Sequence, residues 1–242
     1  VQPPPTPPPA RGFAVVDVEA SGRSPWRHRV VEVGVVLLDY PLLRVEAEFT
    51  TLVDPVGPVG PTAVHRIAQE HVVGAPVFRE IAPHLAELLC GRVLVGHHVA
   101  CDLGFLAREF ARIGVAVPDV PTLCTMALAE RVLGAQLAGR SLLACTAAFG
   151  LPDFDAHTAL GDARATARLL RRALSTPTGG VEPVRAAVDR AQCALWPKLR
   201  RRSAVLHTQN RSAVQELEAY GVPCAVPYSV STACPAVPRE WA

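Results

Sequence analysis

The chain has 242 residues, of which 50% are apolar and 19% charged, a balance that excludes a largely disordered chain, a collagen and a coiled coil. Its net charge of +2 neither requires nor forbids a polyanionic partner. No uninterrupted apolar stretch reaches the roughly 18 residues of a helical membrane span, and seven cysteines without a C-x-x-C pair read as reduced thiols, so a soluble, unsecreted, cytoplasmic protein with no membrane partner is expected.

Residues 1–12, VQPPPTPPPARG, are too rich in proline for helix or sheet and form a disordered lead in this reading. Three β-branched-rich runs follow, FAVVDVEA from Phe13, RVVEVGVVLLD from Arg29 and LRVEAEFTTLV from Leu43. Their short connections predict antiparallel strands. Beyond the loop DPVGPVGPT the period becomes helical. Residues 76–89 place Phe78, Ile81, Leu85, Leu88 and Leu89 on one side. RVLVGH reads as a short strand, residues 101–114 as a helix and PTLCT as another short strand. Further helices are predicted over 125–133, 141–149 and 159–174. The order implies an α/β fold, a mixed sheet of three antiparallel strands and then parallel ones, flanked by helices. The linker STPTGG at residue 175 opens an extension with one helix predicted over 184–195, a basic run at 198–202 and a proline-punctuated tail. The expected divisions are therefore 1–12, 13–174 and 175–242.

Four carboxylates stand where a core would not want them. Asp17 and Glu19 share one face of the first strand, where two like charges repel unless a cation lies between them. The alternative is that the strand ends at Val18 and both acids are solvated. Asp102 and Asp162 each head the apolar stripe of a helix, either facing the sheet or serving as ordinary acids in a first turn. His157 lies five residues before Asp162, in a turn-rich stretch. A histidine beside carboxylate-held metal is suited to take a proton from water.

Together DVEASG from Asp17, GHHVACDLGFL from Gly96 and HTALGDA from His157 resemble the three motifs of the DnaQ-like, DEDDh-type 3′→5′ exonucleases of the RNase H-like fold, in order and in spacing. The resemblance covers roughly residues 13–174, and AVHRIAQEHVVGAPVF between the first two motifs looks like the family's V-H-G-I…A-P-x-F stretch. A sister group has tyrosine four residues before the last aspartate. Here that place is Thr158, and the histidine stands at five. The resemblance implies that Asp17, Glu19, Asp102 and Asp162 hold two divalent cations, Mg²⁺ or Mn²⁺, with His157 as general base. It also implies a single-stranded 3′ end as substrate, DNA placed before RNA, and a DNA polymerase or replisome component as partner. Ala20, Ser21 and Gly22 of the first motif, His65 and Arg66 of the intervening stretch, and His98 and Phe105 of the second motif are the expected substrate contacts. The departures are His98 for asparagine, Cys101 for phenylalanine and Arg66 for glycine, and none removes a metal ligand. A catalytically silent nucleic-acid or replisome binding module on the same fold is the competing reading, followed by a metal hydrolase of small phosphoesters.

Overall fold

The computed structural model describes residues 11–177, 181–194 and 196–199. The proline-rich lead before Arg11, the basic run from Arg200 onward and the proline-punctuated tail lie outside the described residues.

Five strands form one sheet in the order β3-β2-β1-β4-β5, with β1 at Phe13–Ala20, β2 at Val30–Leu38, β3 at Val45–Leu52, β4 at Val93–Gly96 and β5 at Thr122–Cys124. β1, β2 and β3 pair antiparallel across short connections, whereas β4 pairs parallel to β1 and β5 parallel to β4. Parallel pairing needs crossovers, supplied here by helices. The helices are α1 (Thr62–His65), α2 (Phe78–Leu89), α3 (Val99–Arg112), α4 (Thr125–Leu133), α5 (Leu142–Ala148), α6 (Ala159–Leu174) and α7 (Val181–Ala191). Among the described residues no helix is long and apolar enough to cross a membrane.

The two-residue period of β1 sorts the core into two layers. Ala14 and Val16 join Val33 and Val35 against Ile81, Leu85, Leu106 and Phe110 of α2 and α3. Phe13 and Val15 join Val36 and Leu38 against Ala163, Ala167, Leu169 and Leu170 of α6. Each fully buried large apolar side chain contributes about 1.5–3 kcal/mol. Asp17 and Glu19 continue the α6-facing register, so the strand's own alternation delivers both acids toward the start of that helix.

The last helix differs from the expected one, starting at Val181 rather than Val184 and ending at Ala191. Turn bonds from the Cys193 and Ala194 N–H groups close it, and Pro197 prevents its continuation. Val184, Ala187, Val188 and Ala191 are buried in the α6 layer, while Ala194 and Trp196 are buried in the opposite one. Trp196 meets the Phe110 ring edge-on, with centroids 5.6 Å apart. The described part of the extension therefore packs on both faces of the sheet.

Candidate active site

β1 remains extended through Ala20, so the strand does not end at Val18, and both of its acids belong to it. Opposite Asp17 in the ladder stands Gly34, and opposite Glu19 stands Glu32. A Cβ built on Gly34 would lie 2.3 Å from the carbonyl carbon and oxygen of Ala159. Only glycine lets the first turn of α6 come this close, and that approach brings Asp162 to Asp17 and Glu19. Glu32 fastens the contact, its Oε2 accepting the Ala159 N–H at 2.9 Å. The Thr158 hydroxyl caps the helix by accepting the Gly161 N–H at 3.3 Å, and Arg164 ties α6 to Glu48 of β3 at 2.6 Å.

Asp102 enters from the other layer. It lies in the first turn of α3, is 8% exposed, and accepts the Val18 N–H through Oδ1 at 3.2 Å. This bond is an anchor from helix to strand directly between Asp17 and Glu19. His98 stands just before α3 in a left-handed conformation with φ of 72°, its side chain exposed. The helix starts at Val99, two residues before its expected first residue.

His157 is exposed, with a left-handed φ of 64°, and its N–H donates to Asp162 Oδ2 at 3.3 Å. One ring nitrogen lies, with one carboxylate oxygen each from Glu19 and Asp162, in a group whose members are all within 4.8 Å of one another. Oδ1 of Asp162 is buried without a hydrogen-bond partner. A buried carboxylate oxygen without a donor is costly and suits a cation.

The electrostatics favour a positive charge at this cluster. Burial pushes Asp17 well above the usual carboxylate range, helped by the charges of Asp102, Asp162, Glu19 and Glu32. Burial and the charges of Asp162, Glu32 and Asp102 raise Glu19 to about 7. Asp102 is raised by burial against the lowering effect of its Val18 bond, and Asp162 is raised by burial against that of the His157 N–H. Carboxylates in this state are satisfied by protons or by metal, and the donor set is the hard oxygen set that suits divalent cations. The residues present fit such ions.

Two of the expected substrate contacts are buried. Phe105 is 3% exposed and packs in the layer with Leu106 and Phe110, because its place on α3 faces the sheet. His65 is 2% exposed, and its ring is held between the Val59 carbonyl at 3.1 Å and the Ile67 N–H at 3.1 Å. It braces the loop. Arg66, also expected on phosphate, takes a left-handed φ of 59° and bonds Asp155 at 3.0 Å and the Ala156 carbonyl at 2.6 Å. Its guanidinium is engaged with the loop that carries His157. Ala20, Ser21 and Gly22 are half-buried where β1 leaves the carboxylates.

Glu32 is the acid the motif reading passed over. Its signal was present, a single acid inside the apolar run VVEVGVV, two residues before a glycine. Glu109 was missed as well. It is 1% exposed and receives Arg29 through both oxygens at 2.7 and 3.0 Å, together with Arg112 at 3.0 Å.

Residues 14–170 match the family described as Exonuclease. The chain is 36% identical over 167 residues to a DNA polymerase III subunit epsilon-like protein of Rhodobacter capsulatus, covering 67% of this chain and 23% of the relative. It is 29% identical over 165 residues to the DNA polymerase III subunit epsilon of Aquifex aeolicus, covering 67% of this chain and 80% of the relative. The chain thus spans about a quarter of the first relative and most of the second. Among solved structures, an exonuclease X in complex with 5′ overhanging duplex DNA superposes with a TM-score of 0.55 at 24% identity, covering 73% of this chain and 99% of that one. A 3′-exonuclease on a histone mRNA stem-loop gives 0.60 at 19% identity, covering 69% and 83%. These two likenesses speak for the fold. With the family match across both helical layers and all three motifs, the chain belongs to the DnaQ-like exonuclease family of the RNase H-like fold.

Proposed function

We propose that the protein is a 3′→5′ exonuclease that removes nucleoside 5′-monophosphates one at a time from the 3′ end of single-stranded nucleic acid, DNA before RNA, working in the cytoplasm beside a DNA polymerase or replisome component. The observation that carries this reading is the grouping of Glu19, Asp162 and a ring nitrogen of His157 within 4.8 Å, with a buried, unpartnered Oδ1 on Asp162 and with Asp17 raised by the charges of Asp102, Asp162 and Glu19. The presence of all four acids and the histidine counts against a silent binding module.

Asp17 and Asp162 would hold one divalent cation, and Asp17 the second, with Glu19 and Asp102 completing the charge balance. When bound, such ions supply Lewis-acid stabilisation at the phosphoryl and leaving oxygens and make water more acidic. His157 accepts the proton of the attacking water at a ring nitrogen, as its exposed place beside Glu19 and Asp162 allows. The water oxygen bonds to phosphorus while the bond from phosphorus to the 3′-oxygen of the preceding nucleotide breaks, and that oxygen is protonated to a new 3′-hydroxyl. Glu19 helps fix the terminal 3′-hydroxyl, and Ala20, Ser21, Gly22 and His98 line the approach.

Single-stranded DNA and RNA labelled at the 5′ end, incubated side by side with Mg²⁺, test the reading. Labelled strands that shorten stepwise, with nucleoside 5′-monophosphates as product and full protection by chelator, are expected. Release of the labelled 5′ nucleotide first, or strands left intact in Mg²⁺ and Mn²⁺ alike, would sink it.

A further inference from the structure

Phe105 is buried in the α3 layer, and single strands are ordinarily gripped by aromatic faces backed by arginine. The loop from β1 to β2, SGRSPWRHR, interleaves one tryptophan with three arginines and contains no acid. Trp26 in this loop is 71% exposed, the one aromatic among the exposed large apolar side chains of the described residues. Arg108 of α3 lies under its ring, with the guanidinium carbon 4.2 Å from the ring centroid.

This loop is fixed from below. Ser21 and Arg29 pair across its neck, with the Ser21 N–H on the Arg29 carbonyl at 2.8 Å and the Arg29 N–H on the Ser21 hydroxyl at 2.9 Å. The Arg29 side chain reaches buried Glu109, and Arg112 donates to the carbonyls of Pro25 at 2.8 Å and His28 at 3.1 Å. An ion-pair network centred on buried Glu109 thus holds in place a loop whose tip presents a large ring to water. Covering that ring would remove apolar area from water, and a platform fixed in advance loses little entropy on binding.

The position relates the ring to the carboxylates. Arg108 is six residues beyond Asp102 on α3, about 9 Å along the axis. That distance is about two to three stacked nucleotides. Arg23 and Arg27, both exposed, flank the ring with positive charge suited to phosphates. We infer that Trp26, backed by Arg108, is a stacking platform for a base of the strand two or three nucleotides upstream of the 3′ end. This inference rests on the reading that the carboxylate site takes a nucleic-acid 3′ end.

Binding of thymidylate oligomers of two and of six nucleotides, followed in Ca²⁺ buffer with the strand checked for integrity, is the test. The wild type should gain affinity on lengthening and show quenched tryptophan fluorescence with the longer strand. Trp26→Ala should forfeit about 5- to 150-fold of that gain, the usual worth of one stacked base. In a Trp241→Phe background, Trp26→Phe should keep the gain and lose most of the quench, since Trp196, the remaining tryptophan, is buried. A Trp26→Ala protein with the wild-type gain, or Trp26→Phe and Trp26→Ala proteins equally weakened, would overturn the platform while leaving the exonuclease reading intact, and would point to a protein partner on the ring. A wild type that neither binds nor cuts either strand would overturn both.

Discussion

Gly34 of β2 and Ala159 of α6 are in backbone contact, so close that a Cβ on the glycine would stand 2.3 Å from the Ala159 carbonyl. Because Gly34 is also the ladder partner of Asp17, this one contact sets the spacing between the acids of the strand and Asp162 of the helix. Gly34→Ala should push the first turn of α6 outward and cost about 1–3 kcal/mol from overpacking. We expect a melting temperature lower by several degrees and a higher Mg²⁺ concentration for half-maximal activity. Unchanged metal dependence would show that the spacing is set elsewhere.

Metal-free protein should lose stability as pH rises. Glu19 is raised from 4.5 to about 7, and Asp17, Glu32, Asp102 and Asp162 are raised in the same direction. Over that window the folded chain keeps protons that the unfolded chain has released, so unfolding is favoured progressively from about pH 4.5 to about pH 7. Melting in chelator should therefore drop across this range, and Mn²⁺ should restore it most at the upper end. A flat metal-free profile would mean that the carboxylates are better solvated than their burial indicates.

His157→Ala should reduce turnover by about 10²- to 10⁴-fold, the usual worth of a positioned general base. The four carboxylates remain, so the Mn²⁺-induced rise in melting temperature should persist. Wild-type turnover in this variant would leave the histidine as a loop residue without a chemical task.

Glu109→Ala should leave Arg29 and Arg112 facing each other without their shared anion. The loss should fall toward the lower end of about 3–5 kcal/mol for a broken buried pair, because both guanidinium groups reach solvent. Melting should fall by about 6–12 °C. Greater proteolytic sensitivity between Gly22 and Arg29 would locate the effect in the loop.

The parts of the fold legible in the sequence are those governed by periodicity. The strand runs, the helical stripes of α2 and α6 and the antiparallel-then-parallel order follow from apolar spacing and connection length. Asp17, Glu19, Asp102 and Asp162 could be singled out because charge in an apolar register conflicts with burial, and His157 because it stands five residues before Asp162. What spacing cannot encode is which side of a contact a residue serves. His65 and Phe105 occupy motif positions yet are buried, since ring packing and loop bracing depend on neighbours distant in the chain. Arg66 illustrates the same point, its partners Asp155 and Ala156 lying 89 and 90 residues away. Glu32 escaped notice because its helix partner is 127 residues on.

The role of the carboxylates is tested most directly with Asp102→Asn, which preserves shape and an oxygen for the Val18 N–H while removing one charge. The measurement is the rate at which a 5′-labelled single strand shortens in Mg²⁺, set beside melting in chelator. We expect a rate lower by about 10²- to 10³-fold, of the order lost with a transition-state stabilising group, and a metal-free melting temperature equal to or above that of the wild type. An Asp102→Asn protein that shortens the strand at the wild-type rate would contradict it.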